Sequence, residues 1–322
     1  MQAMRGIVAA FLVALLGGAA AAQSGYPTRG VTIVVPLSAG GTADILARLA
    51  AEQLRDALGV AVVVENRPGG AGGLIGAESV FRALPDGYTL LCAPQLTYSV
   101  ANVVHPRLAF DTAAFEPVSV LASYPSILLV RPDLPVNTTA ELIAYAKANP
   151  DRLNYGSQGT GQIGHLAGEQ LNHMANVRMV HIPFRGSAPA ITALLGSQID
   201  VLPDLLPATR PHIEAGKMKL LGVASGERLK VFPKVQTVSE ALPGFEADTW
   251  MGIAAPPGTP KEIIGRISDA IRQAFNKPEV KARIEALDVE PRGTTPEEMR
   301  DLIRRSAERW TPLIKAAKIT VD

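Results

Sequence analysis

Along most of the chain, short runs of β-branched and aliphatic residues alternate with longer stretches whose apolar positions recur every three or four residues. That alternation predicts an α/β protein with largely parallel sheets. Val31–Val35 is the first strand run, closed by Pro36. A glycine turn follows, then a helix carrying Leu46, Leu49, Ala50, Leu54 and Ala57 on one face. Residues 60–64 and 88–92 supply the next strands, the latter introduced by the turn Pro85-Asp86-Gly87. A second α/β series begins near Ser126, with strands at 127–130, 153–156, 177–182, 199–202 and 219–224. Thr138 and Glu141 form a capping box for its first helix, which ends at Asn149-Pro150. After the run 249–254 only helices remain, at roughly 260–276, 278–287 and 295–317. They have no strands of their own to cover, so they are expected to pack back on the first series. The implied organisation is one lobe from 23–122 plus 250–322 and a second from 123–249. Two such lobes joined by two crossings make a cleft that opens and closes about hinges.

The first 22 residues read differently. Arg5 precedes an uncharged apolar stretch at 6–16, and small residues end at Ala20-Ala21-Ala22. This is the pattern of a secretory signal peptide. The run falls short of the ~20 apolar residues that span a bilayer, and no other segment is long and apolar enough. Export to the periplasm is expected, with residues 1–22 removed. The full chain has 31 Lys+Arg against 30 Asp+Glu, a formal charge of +1. Cleavage takes away Arg5 and no acid, so 31 − 1 = 30 bases then balance 30 acids. No basic excess remains to draw the protein to nucleic acid. The single cysteine excludes a disulfide scaffold and a thiolate zinc cluster, and Cys92 lies in an apolar run as a small buried hydrophobe.

Candidate chemistry sits in two glycine-rich turns, each leading from a strand into a helix. One is Pro36-Leu37-Ser38-Ala39-Gly40-Gly41-Thr42-Ala43-Asp44; the other runs from Tyr155 through Ser157, Gly159, Thr160 and Gly161 to His165. Glycine lets backbone approach a ligand, and free N–H groups at a helix N-terminus favour an anion. Facing each other across a cleft, the two turns would offer neutral donors to a carboxylate. Residues 159–164 match G-x-G-x-x-G, but the strand ending near Arg185 brings no acid for a nucleotide ribose, so the match is accidental. Gly156-Ser157-Gln158-Gly159 is not a nucleophile elbow. His165, Glu169 and His173 share a helical spacing, yet eight residues span ~12 Å, too far for both histidines to hold one ion. Asp204 follows a buried strand and either faces the cleft or caps the next helix. Arg185 either pairs with an acidic ligand or is a solvated charge. Asp44 stands in the first turn of its helix, where the dipole favours a carboxylate.

Several stretches resemble one family. They include Val35-Pro36 with Gly40-Gly41-Thr42-Ala43-Asp44, and Val64-Glu65-Asn66-Arg67-Pro68-Gly69-Gly70-Ala71-Gly72-Gly73. Others are Pro85-Asp86-Gly87-Tyr88-Thr89-Leu90, Leu153-Asn154-Tyr155-Gly156-Ser157, and His181-Ile182-Pro183-Phe184-Arg185-Gly186-Ser187. In order and over nearly the whole mature chain, they are similar to the extracytoplasmic solute-binding receptors of tripartite tricarboxylate transporters, the Bordetella uptake gene (Bug) family. The resemblance implies a two-lobed periplasmic-binding-protein fold of the type II class that traps a small carboxylate in the cleft between its lobes and delivers it to separate membrane permease subunits. No cofactor, no metal and no catalysis are expected, and a monomer is the default for a closing receptor. Carried onto this sequence, it points to Leu37, Ser38, Gly41, Thr42 and Asp44 in the first lobe. In the second it points to Ser157, Gly159, Thr160, Gly161, Arg185 and Asp204. Thr97, with Gln95 and Tyr98, follows the third strand as a further cleft residue. Leu37 departs from the family, many of whose members carry an aromatic residue there. The competing reading is an exported hydrolase or lyase using Asp44, His165 or Asp204; a third is a sensory protein closing on a membrane partner.

Overall fold

The computed structural model describes residues 25–70 and 73–320, so the expected export signal lies outside the described residues. Ten strands form one continuous, curled sheet: β1 Val31–Val35, β2 Val62–Asn66, β3 Thr89–Pro94, β4 Glu116–Val130, β5 Asn154–Ser157, β6 Val180–Pro183, β7 Val201–Leu205, β8 Lys219–Val223, β9 Asp248–Ala255 and β10 Glu290–Pro291. Their order is β2-β1-β3-β9-β4-β7-β5-β6, with β8 and β10 also pairing β4. The helices include α1 Thr42–Leu58, α2 Leu74–Phe81, α3 Gln95–Ser99, α4 Ala101–Val104, α5 Thr139–Ala148, α6 Ile163–Ala175, α7 Ser187–Leu195, α8 Leu206–Glu214 and α9 Val238–Ala241. Three more close the chain: α10 Lys261–Phe275, α11 Pro278–Glu285 and α12 Pro296–Ala316.

The parallel pairing expected from the apolar runs holds at each end of the sheet. β1 pairs β2 and β3 in parallel, as β5 pairs β6 and β7. The middle differs: β9 runs antiparallel to both β3 and β4, and β4 is antiparallel to β7 and β8. The reason is connectivity. β4 carries the chain out of one half and β9 brings it back, so these two must oppose each other. β4 is a single 15-residue strand, where the apolar pattern predicts only its last segment. Residues 116–125 pair β9, and from Ser126 to Val130 the partners become β7 and β8. A second difference is β10, a two-residue strand on β4 among the C-terminal helices.

Side-chain alternation fills both faces of this sheet. On β1 and β3, Ile33, Val35, Leu90 and Cys92 join the large core beneath α1 and α10. Val34, Leu91 and Ala93 turn to the opposite core with Tyr98, Trp250 and Met299. β4 and β7 repeat the device, with Leu128, Val130 and Val201 on one side and Ile127, Leu129 and Leu202 on the other. The C-terminal helices do return to the first half. α10 lays Ile264, Ile267, Ile271 and Phe275 into the large core. α12 presses Met299 so close to Gly252 that a Cβ there would lie 2.8 Å from the Met299 methyl. Ala57 is the exception on α1; it lies one turn past the buried stripe and is exposed.

Candidate functional site

In sheets of this kind ligands gather outside the carboxyl ends of parallel strands. Here there are two such ends. The turns after β1 and β3 meet the turns after β5, β6 and β7 where β4 and β9 cross between the halves.

The first turn is built around the N-terminus of α1, whose N-cap, Gly41, brings no side-chain cap. Gly40 takes φ +80°, a conformation that side-chain-bearing residues avoid. Asp44 reaches back to accept from Gly40 N at 3.0 Å and is clamped by Arg48, Nε at 3.0 Å on one oxygen and Nη2 at 2.9 Å on the other. Burial alone would raise its pKa, but bonds from Arg48, Gly40 and Asn66 outweigh it and hold the carboxyl below its ordinary value. Asn66 also donates to Leu37 O at 3.1 Å. Asp44 therefore shapes the turn, and its charge is already matched.

The second turn leads into α6, whose N-cap Gln162 likewise brings no side-chain cap. Gly159 and Gly161 take φ +137° and +76°. Beneath them lies a stack of rings. His165 and His181 are parallel at 3.8 Å, and Tyr155 stacks on His181 at 4.9 Å. Gly161 N–H donates to His165 Nδ1 at 3.0 Å, which requires the neutral tautomer protonated on Nε2. Ser157 Oγ meets His181 Nε2 at 2.7 Å. Burial, with His181 beside it, pushes His165 down to about 3, and burial pushes His181 down to about 4. Both rings are neutral near pH 7. His173 is exposed, half-buried Glu169 accepts from Tyr155 OH at 2.6 Å, and the described residues contain no metal-ligating cluster.

The two halves touch. Ser38 N–H donates to Arg185 O at 3.1 Å. Gly186, at φ +120°, packs so tightly on this bond that a Cβ would come within 2.6 Å of Ser38 Oγ. A Cβ on Gly161 would lie 3.0 Å from a Val104 methyl. A space of about 10 Å³ between Thr97, His105, Thr160 and Gly161 has room for about one water molecule. Arg210 on α8 bonds Asp288 Oδ2 at 2.6 Å, before β10.

Between these contacts lie polar atoms without partners. Ser38 Oγ, Thr42 Oγ1, Thr97 Oγ1, Tyr124 OH, Thr249 Oγ1 and Asp204 Oδ2 are all buried and unpaired. Among the described residues, Gln170 Oε1 is the one such atom lying apart from them and from the Asp44 clamp. Tyr124 and Thr249 are direct cross-strand partners on β4 and β9, so both hydroxyls leave the same face. Gln95 ties the Thr97 helix to this spot by donating to Asp248 O at 3.2 Å. Asp204 at the end of β7 is wholly buried. Its Oδ1 accepts from Gln158 Nε2 at 2.5 Å, Ser187 Oγ at 2.7 Å and Leu205 N at 2.8 Å. Burying so many polar atoms unpaired is costly. A polar ligand enclosed by both halves would satisfy them. The larger open grooves lie elsewhere; one of about 330 Å³ runs over α10 and α12, lined by Lys261, Arg272 and Arg300 among acidic residues.

The structure thus brings together Leu37, Ser38, Gly41, Thr42, Thr97, Ser157, Gly159, Thr160, Gly161 and Asp204. The side chain of Arg185 is exposed, and that residue meets the first turn through its carbonyl. Asp204 does not cap α8, whose N-cap is Leu205 with no side-chain cap; its Oδ1 accepts from the Leu205 amide, and its Oδ2 is buried without a partner. Sequence reasoning does not single out Tyr124, Thr249, Gln158 or Ser187. A proline beside Tyr124 and a separation of 46 positions between Gln158 and Asp204 hide them.

Comparison with known proteins agrees with this geometry. Residues 46–319 match the model of the tripartite tricarboxylate transporter family receptor. A protein of Pseudomonas sp. (strain P51), named for the tcbD-tcbE intergenic region, is 36% identical over 99% of this chain and 96% of its own. A Rhodopseudomonas palustris protein solved with adipate superposes with a TM-score of 0.88, at 34% identity over 92% of this chain and 99% of its own. MatC from the same organism, solved with bound malate, gives 0.85 at 33% identity over 90% and 100%. The two-lobed fold is that of periplasmic binding proteins, and the chain belongs to the tripartite tricarboxylate transporter receptor family, alongside the Bug proteins.

Proposed function

We propose that the mature chain is a periplasmic receptor that captures a small organic carboxylate by lobe closure, without turning it over, and presents it as a monomer to membrane permease subunits. The observation that carries this reading is the set of unpaired buried oxygens: hydroxyls from the first half and from both crossing strands, and Asp204 Oδ2 from the second half. Relatives bound to adipate and malate support the ligand class. The lobes are residues 23–122 with 250–322 and residues 123–249; the change of partners on β4 at Ser126 lies close to the first crossing. Removal of residues 1–22 delivers the neutral mature form. One carboxylate of the ligand is held by Ser38, Gly41 and Thr42 over the uncapped start of α1, with Gly159, Thr160 and Gly161 closing from the other side. Charge-assisted bonds of this kind contribute about 1.5–3 kcal/mol each, so three or four support micromolar binding after association costs.

The Ser157–His181 contact has the look of a nucleophile and base, but Ser157 is wholly buried. His181, pushed down to about 4, is also a poor base at neutral pH. That geometry favours a structural role and leaves the hydrolase reading without an assembled nucleophile. The test is thermal denaturation of the mature protein with di- and tricarboxylates, aromatic acids and acidic amino acids. A ligand at 100 times its Kd adds about 2.7 kcal/mol, several degrees for a chain of this size. At least one acid is expected to give that shift while remaining unconsumed by NMR. Flat melting curves for every anion, or disappearance of the acid, would overturn the proposal.

A further inference from the structure

Asp204 is the one unmatched carboxylate oxygen at the site once the Asp44–Arg48 clamp is set aside. Its three donors, from Gln158, Ser187 and the Leu205 amide, all converge on Oδ1, and Oδ2 has none. Ser187 couples this carboxylate to the opposite half: a Cβ placed on Gly41 would lie 3.4 Å from Ser187 Cβ. Tyr124 adds its own unpaired hydroxyl from β4, within electrostatic reach of Asp204. Among the described residues no cation pairs with Asp204, and Arg185 is exposed. A fully buried oxygen bearing negative charge, with one side left bare, requires a donor.

We infer that Asp204 is a specificity-determining residue, one that makes the site prefer organic acids carrying a hydroxyl or ammonium donor beyond the captured carboxylate over plain dicarboxylates of the same length. The inference rests on the receptor reading above and narrows its ligand class. A second ionised carboxylate at this position would face Oδ2 with no proton between them and no cation to offset the repulsion. An ammonium or hydroxyl supplies the missing proton, and Tyr124 OH is free to donate to the same group or accept from it. Burial raises the Asp204 pKa to about 6 against the pull of its three donors, so at pH 7.5 the carboxylate is ionised in the majority of molecules. Hydrogen-bond readout of this kind discriminates strongly, because the wrong ligand leaves a buried polar group unpaired.

The experiment is isothermal titration of the mature protein at pH 7.5 with matched acids. The sets are 4-aminobutyrate, 4-hydroxybutyrate and succinate; 5-aminopentanoate and glutarate; and 6-hydroxyhexanoate and adipate. The expected result is at least tenfold tighter binding of the best donor-bearing acid than of the dicarboxylate in its set. Asp204→Asn keeps an acceptor for the three existing donors and turns an N–H toward the ligand. It should weaken the donor-bearing acid at least tenfold and tighten the dicarboxylate. A wild-type protein that binds the dicarboxylate as well as its donor-bearing counterpart overturns the inference while leaving the receptor reading intact, and so does an unchanged preference in the variant. If no acid of any set binds, the receptor reading fails and takes this one with it. Should the variant not fold, the wild-type comparison decides alone.

Discussion

Replacing Gly186 by alanine would place a wedge where the two halves close. In the closed contact a Cβ at 186 lies 2.6 Å from Ser38 Oγ, 3.1 Å from Ser38 N and 3.5 Å from Leu37 Cβ. The hydroxyl can rotate away; the backbone nitrogen cannot move without carrying the whole first turn. Relief must therefore come from separating the halves, which stretches the Ser38 N to Arg185 O bond beyond its present 3.1 Å. Loss of that bond costs about 1 kcal/mol, and residual overpacking about 1–3 kcal/mol. Together these weaken ligand binding roughly 30- to 1,000-fold. The backbone conformation at φ +120° adds about 1–3 kcal/mol of strain. That strain is present in open and closed forms alike, so it appears in urea unfolding and not in affinity. Gly59→Ala separates the two effects, since Gly59 also has positive φ, +71°, but a Cβ there meets nothing within 4 Å. Calorimetric titration should therefore show affinity lost in Gly186→Ala and retained in Gly59→Ala, with both proteins less stable. Wild-type affinity in Gly186→Ala, or an equal loss in Gly59→Ala, would refute the reasoning.

The histidine stack predicts acid sensitivity. The unfolded rings take up protons near 6.5, while the folded rings resist until about 3 and 4, so protons favour the unfolded chain and stability falls as pH drops below 6.5. Urea midpoints at pH 7.5 and 5.0 should show that fall, and it should be smaller in His181→Gln, which keeps a partner for Ser157. Arg210→Ala removes the pairing of nearly buried Asp288 between α8 and the turn before β10. It should lower affinity about three- to tenfold, on the order of 1 kcal/mol, through faster ligand release in stopped-flow traces. Gly265→Ala, in the middle of α10 where a Cβ meets nothing within 4 Å, should raise stability by ~0.5–1 kcal/mol in urea unfolding and leave binding unchanged.

The features of the fold that are local are the ones the chain declares openly. The glycines of both turns, the amphipathic C-terminal helices and the strand runs at 31–35 and 219–223 each carry their own periodicity. β4 does not. Pro117 and Pro125 interrupt it, and bulges shift its register with β9. A strand that passes through both halves is defined by its partners and not by its own pattern. The capping box at Thr138 was half visible: Thr138 Oγ1 accepts from Glu141 N, but the Glu141 carboxylate turns to Asn137 N instead.

Site residues divide in the same way. Backbone donors at helix starts follow from turn glycines, so the turns holding Gly41, Gly159 and Gly161 could be read from the sequence pattern, while Thr42 is pointed to by the family resemblance. Side-chain direction depends on tertiary contacts, so the sequence leaves Arg185 open between an acidic ligand and solvent, and the structure exposes it. The donors that fix Asp204 come from residues 46 and 17 positions away. Tyr124 and Thr249, 125 positions apart in sequence, become a pair only through the register of β4 against β9.

A crystal structure of the mature protein with the tightest-binding acid of the thermal screen tests the central claim most directly. The account predicts one carboxylate of that acid within hydrogen-bond distance of Ser38 or Thr42 at the start of α1, enclosed beneath Gly159 to Gly161. Density for the acid in the open groove beside Lys261, Arg272 and Arg300, with the space between the halves filled by water, would contradict it.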